Sequence, residues 1–187
     1  VNRSSSAPSY KMTKIEKKLT LVTGASGFLG KSLVAQLIEE GKAVRALVRN
    51  PTLYLENLGV EIIRGDVCDG ELCLEAVDGV SEIYHLAGKV SRDPSDGPAM
   101  YRLHVEGTRT LLSAAATVEP RPRVVVVSTS GTIAVSKRED EISNEASPYR
   151  TETVSNWPYY LSKIYQEQTA FQLAKEFELE VVVVNPS

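Results

Sequence analysis

Six short runs rich in Val, Ile and Leu recur along this chain, each separated from the next by a stretch with helical periodicity or turn chemistry. They are LTLVT (19–23), AVRALV (43–48), VEIIRGDV (60–67, strand and turn), SEIYHLAG (81–88), RVVVVSTS (123–130) and LEVVVVN (179–185). Runs of this length that are apolar on both faces belong in a parallel sheet covered on each side by helices. The intervening stretches supply those helices. FLGKSLVAQLIEE (28–40) repeats Leu29, Leu33 and Leu37 on one face with Gly41 as its cap, and a short, poorly defined helical segment follows Pro51. Helices are further expected at 70–79, 99–118 and 158–177, with a polar segment reaching to about 156 before the last. Six βα alternations imply an α/β, doubly wound fold with a parallel sheet.

Composition narrows the function classes. With 187 residues, 42% hydrophobic and 24% charged, the chain suits one soluble domain, residues 19–187. Its net charge of −3 offers no broad basic surface for nucleic acid, and no apolar run approaches membrane-spanning length. Cys68 and Cys73 are spaced too widely for a CxxC pair, and the two histidines stand apart. Free thiols, a reducing, cytoplasmic compartment and no metal site are expected. Residues 1–18 read as a flexible, basic, serine-rich leader without the apolar stretch of a secretory signal. A targeting segment, or an added segment before a native start at Met12, are both open readings.

Between the first run and the first helix stands TGASGFLG, with Gly24, Gly27 and Gly30 at three-residue spacing. Missing side chains let the chain turn sharply, bring backbone amides of Ser26, Gly27, Phe28 and Leu29 toward a pyrophosphate, and let helix and strand approach closely. The helix N-terminus adds partial positive charge. A tight βα turn favours glycine in any case, so the position in the fold carries the argument. At the end of the second run, where an NAD-preferring site places an acid, this chain has Arg49, whose fork suits the extra phosphate of NADP. NADP is therefore expected over NAD, although an arginine at a strand end is also an ordinary solvated charge. Asp66, beside Val67 in the GDV turn, is placed to reach an adenine amino group, and Asp also suits a turn without a ligand.

In WPYYLSK (157–163), two adjacent tyrosines precede a lysine. Residues four apart share a helical face, so Tyr159 points with Lys163 while Tyr160 is rotated about 100° away, toward Ile164. Tyr159 is the candidate proton-transfer group and Tyr160 a packing or substrate-side neighbour. A nearby ammonium favours the phenolate, and Lys163 also suits a ribose hydroxyl.

TGASGFLG, Arg49, GDV, HLAG (85–88) and the YxxxK pair together resemble the extended short-chain dehydrogenase/reductase superfamily, which holds NAD-dependent epimerase/dehydratases and dihydroflavonol-4-reductase-like enzymes. The resemblance covers roughly residues 19–187 and implies a Rossmann domain binding NADP. RALVRNP is similar to the reductase branch. The resemblance further implies that Leu86, Ala87 and Gly88 pass beside the cofactor and that Tyr159, Lys163 and Ser130 form the catalytic set. Ser128 or Thr129 are alternatives to Ser130. Two positions depart from the family pattern: Gly88 stands where alanine is commoner, and His104 where asparagine is usual. His104 either anchors the surroundings of the lysine or is a simple helical histidine; His85 reads as structural.

The expected function is an NADP-dependent oxidoreductase acting on a small-molecule carbonyl or alcohol. A nucleotide-sugar epimerase or dehydratase with tightly held NAD(P) is the alternative. From another class, a non-catalytic dinucleotide-binding module also fits. By analogy, a homodimer through helices 99–118 and 158–177 is expected, and the family's smaller C-terminal substrate domain is expected to be missing after the sixth strand.

Overall fold

The computed structural model describes residues 18–133, 135–136, 140 and 142–187. All but Lys18 of the expected leader lies outside these residues. Six parallel strands form one sheet: β1 (Leu19–Thr23), β2 (Ala43–Val48), β3 (Glu61–Arg64), β4 (Val80–His85), β5 (Arg123–Val127) and β6 (Val181–Val184). Their order, β3-β2-β1-β4-β5-β6, reverses direction between β1 and β4. That reversal opens a crevice at the carboxyl ends of the two central strands, where ligands meet a doubly wound sheet.

The helices are α1 (Phe28–Glu39), α2 (Leu53–Asn57), α3 (Gly70–Val77), α4 (Gly97–Tyr101), α5 (Gly107–Ala115) and α6 (Pro158–Phe177). Two apolar cores lie on opposite faces of the sheet. Leu21, Ile83, Val124 and Val126 face α3, α5 and α6 through Cys73, Leu111, Leu112, Ala170 and Leu173. Val22, Val44, Ala46 and Val48 face α1 and α2 through Val34, Leu37 and Leu55. Fully burying one such leucine or isoleucine contributes roughly 1.5–3 kcal/mol. Among the described residues, no helix is long and apolar enough to cross a membrane, and no group of three or more His, Cys, Asp or Glu could hold a metal ion. Cys68 and Cys73 are free thiols, and burial pushes them up to about 11 and about 12.

The structure corrects four expectations. α1 buries Gly30, Val34 and Leu37 rather than the Leu29–Leu33–Leu37 row, and Leu29 is 47% exposed. The reason is close approach: a Cβ on Gly30 would lie 2.3 Å from the Gly24 carbonyl oxygen, so the helix enters the core on its smallest residue. Strands β4, β5 and β6 stop short of the expected 88, 130 and 185: Leu86, Ala87 and Gly88 turn to line the groove, Ser130 opens a 3-10 turn, and Asn185 bonds Thr129, Thr132 and Glu167. The expected helix 99–118 is interrupted by a π-helical turn, Arg102–Glu106, between α4 and α5. Finally, β6 is covered on one face only: Val182 and Val184 are 37% and 40% exposed.

Candidate active site

The β1–α1 turn is built on two steric demands. Gly24 holds φ +70°, and a Cβ there would meet Ala87 N and Leu86 C at 2.7 Å. The loop after β4 thus lies directly against the glycine turn. Between them and the ends of β2 and β3 runs a groove of about 190 Å³, lined by Gly24, Ser26, Gly27, Arg49, Asp66, Val67, Leu86, Ala87 and Gly88, with Leu47, Val48, Asn50, Gly65 and Leu103. The first nine were expected from the sequence; Asn50 and Leu103 were not, since nothing in their local pattern marks them. Phe28 and Leu29 lie outside this lining, with Phe28 96% exposed, and contribute only backbone at the first turn of α1.

Arg49 is exposed at the groove and forms no salt bridge among the described residues. Asp66 is already engaged: Oδ1 accepts the Cys68 N–H at 3.0 Å and Oδ2 pairs with Arg102 at 3.0 Å. Burial works to raise its carboxyl, but these partners hold it below the usual range.

Across the crevice, α6 carries the tyrosines and the lysine. Its N-terminus is set by Pro158 at the first turn, where a missing N–H costs nothing. Lys163 is buried, and its Nζ donates to the Val127 carbonyl at 2.9 Å and to Gln166 Oε1 at 2.8 Å. A Cβ on Gly88 would sit 3.7 Å from this Nζ, so the ammonium borders the groove. Burial pulls the amine down to about 8, against an opposing push from Glu167. It is therefore mainly protonated at neutral pH.

Tyr159 contacts the His104 ring edge-on, with centroids 6.0 Å apart. Burial pushes its phenol up, and the Thr129 hydroxyl pulls the other way. Ser128 is buried and donates to Glu167 Oε1, while Ser130 opens a 3-10 turn tied through its N–H to the Pro186 carbonyl at 2.9 Å. Tyr160 instead lays its ring over Gly131, where a Cβ would come within 2.0 Å of it. Together with Trp157, Pro158, Tyr159, Val90 and Arg92, Tyr160 lines a second cleft of about 520 Å³.

Behind these groups runs a buried polar chain whose proton positions follow from its donors. Thr23 Oγ1 accepts the Ala87 N–H at 3.2 Å and bonds His85 Nδ1 at 2.7 Å; because Thr108 gives its one proton to the His104 carbonyl and so accepts from Nε2, Nδ1 is bare and accepts from Thr23. His85 Nε2 then carries the ring proton and gives it to Thr108 Oγ1 at 2.9 Å. Thr108 in turn donates to the His104 carbonyl at 2.6 Å and accepts from Gln166 Nε2 at 2.9 Å. The chain therefore links the groove loop to Lys163 without an unsatisfied member. Sequence reading missed Thr23, Thr108 and Gln166 because their partners lie up to 64 residues away. Glu167 anchors a second cluster, accepting from Tyr149 at 2.9 Å, Thr132 at 2.6 Å and Asn185 at 2.8 Å as well as from Ser128.

Burial, aided by the nearby Lys163 charge, holds both His85 and His104 down to about 3. Both rings are neutral in the folded state, whereas an unfolded histidine takes up a proton near pH 6.5. Below that pH the unfolded chain binds more protons, so stability falls as pH drops from about 6.5 toward 3. Unfolding free energies from denaturant titrations across that interval are expected to decline steadily as pH falls. A flat profile between pH 6 and 4 would contradict the buried, neutral state of the two rings.

The profile described as the NAD dependent epimerase/dehydratase family matches residues 20–187. The bifunctional dihydroflavonol 4-reductase/flavanone 4-reductase of Pyrus communis is 29% identical over 92% of this chain and 54% of its own length. Cinnamoyl-CoA reductase 1 of Petunia hybrida is 32% identical over 94% of this chain and 55% of its own length. Among solved structures, a short-chain dehydrogenase/reductase superfamily protein from Agrobacterium tumefaciens with bound NAD superposes with a TM-score of 0.75, at 30% identity over 89% of this chain and 48% of that one. The chain thus spans about half the length of the relatives it matches.

Proposed function

The chain belongs to the NAD dependent epimerase/dehydratase family, within the extended short-chain dehydrogenase/reductase superfamily, and from that premise we propose that the full-length protein moves a hydride between NADP and a carbonyl or alcohol substrate. One observation carries the reading: Lys163 Nζ borders the glycine-lined groove at Gly88, and Tyr159, one helical turn earlier on α6, lines the second cleft. The donor set suits a dinucleotide. Two glycines keep Cβ atoms away from the turn, the first amides of α1 are without intrahelical partners, and Arg49 offers a guanidinium at the β2 end.

When bound, the dinucleotide supplies or accepts the hydride at the substrate carbon. Tyr159, held protonated at neutral pH by burial, gives its proton to the substrate oxygen in the reducing direction and recovers it in the oxidising one. A hydroxyl at the end of β5 shares that oxygen: Ser130 at the start of the 3-10 turn, or its neighbour Thr129, which pulls the Tyr159 phenol down. Lys163 fixes positive charge beside the groove; a cation there favours a phenolate formed nearby.

Arg49 bears on cofactor choice. Arg49→Ala is expected to weaken NADPH binding by about tenfold to a hundredfold, the worth of a charge-assisted fork, while NADH binding changes little. Fluorescence titration of the full-length protein with both dinucleotides checks this, and equal losses for the two would remove the phosphate-reading role. Stoichiometric NADPH consumption with substrate separates the reductase reading from the epimerase reading, in which no net oxidation occurs.

A further inference from the structure

Gly88, on the groove loop, and His104, on the π-helical turn, lie against each other. A Cβ built on Gly88 would lie 3.2 Å from His104 Nε2 and 3.6 Å from Cδ2, tighter than side chains ordinarily pack. The ring has no room to retreat. It is fully buried, its Nε2 accepts the Lys89 N–H at 3.1 Å, and its Nδ1 meets Ser162 Oγ at 2.9 Å. Its edge rests on Tyr159.

Proton bookkeeping fixes the tautomer. Because Nε2 accepts a backbone N–H, the ring proton sits on Nδ1 and is donated to Ser162 Oγ. That hydroxyl passes its own proton to the Tyr159 carbonyl at 2.8 Å. One imidazole thus joins the groove loop at Lys89 to the helix turn that carries Tyr159. It does so from the π-helical turn Arg102–Glu106, an irregularity that often marks functional positions.

We propose that His104 is a positioning residue that clamps the groove loop to the Tyr159 turn of α6, and that Gly88 is required because only a residue without a side chain leaves space for the clamp. The proposal rests on the dinucleotide reading for its consequence in binding, but the pairing itself stands on the contacts alone. A shorter amide at position 104 still reaches Ser162 and ends short of Gly88, so it removes the conflict with a methyl group.

Four full-length proteins test it: the parent, Gly88→Ala, His104→Asn and the double variant. Gly88→Ala in the parent is expected to weaken NADPH binding by about tenfold, the size of coupling that contacting residues show. In the His104→Asn background the same alanine is expected to cost less than about twofold, and thermal melting should show the same non-additivity. Equal costs in both backgrounds would overturn the proposal. If the parent fails to bind NADPH, the functional reading fails while the melting data still decide the pairing. Nitrogen-15 spectra of the parent give an independent answer that needs no variant to fold. A protonated Nδ1 and an unprotonated Nε2 on His104 are expected, and the opposite tautomer would sink the clamp.

Discussion

Tyr159→Phe in the full-length protein is expected to lower kcat by about 10²–10⁴-fold, the usual contribution of a positioned proton donor, with little change in dinucleotide affinity. In the proposed reaction the phenol is the acid offered to a substrate oxygen, and burial pushes its pKa up. Its ring packing against His104 and Tyr160 survives the loss of the hydroxyl, so folding should be nearly unaffected. Tyr160→Phe is the matching comparison. That ring packs over Gly131 beside Tyr159 in the second cleft, and loss of its one oxygen should leave kcat far closer to the parent value. Steady-state and single-turnover rates on both variants decide the matter. Equal, small losses would remove Tyr159 from the chemistry, and a larger loss for Tyr160→Phe would reverse the two roles.

The second large effect is expected at Gly30. A methyl group there would sit 2.3 Å from the Gly24 carbonyl oxygen and 2.7 Å from Ala25 Cα, contacts with backbone that no rotamer change relieves. Either α1 moves away from β1 or the turn opens. Gly30→Ala is expected to cost roughly 3 kcal/mol, at the upper end of overpacking penalties. For a chain of this size that corresponds to a Tm lower by about 6–12 °C. Because the same turn lines the groove, NADPH affinity should fall with it even at temperatures where the variant is folded. Calorimetry and titration on one preparation check both. A Tm within a degree or two of the parent would show that the turn is softer than its contacts indicate.

Much of this was legible from local pattern. α6 begins and ends where the sequence placed it, because Pro158 is a strong start signal and the strand-length Val run follows closely. Helical angle separates Tyr159 from Tyr160 in the sequence, and in the structure the Tyr160 ring packs on Gly131 while both rings line the second cleft. The buried face of α1 was misjudged because an apolar count favours leucine, whereas close helix–strand approach selects glycine. The π-turn and the chain through Thr23, His85, Thr108 and Gln166 had no local signature, since each bond joins distant segments. Nothing in the local sequence at His104 or Gly88 points to the other, because their contact joins a strand-end loop to a helix 16 residues on.

An ammonium is a tripod. Lys163 has two of its three legs planted, one on the Val127 carbonyl at the end of β5 and one on Gln166 within its own helix. Tetrahedral geometry then dictates the bearing of the third N–H, leaving the head group no freedom to swing. The residue thus behaves as a fixed pointer whose aim is inherited from a strand and a helix, and a planar guanidinium of equal charge could not stand in the same footprints.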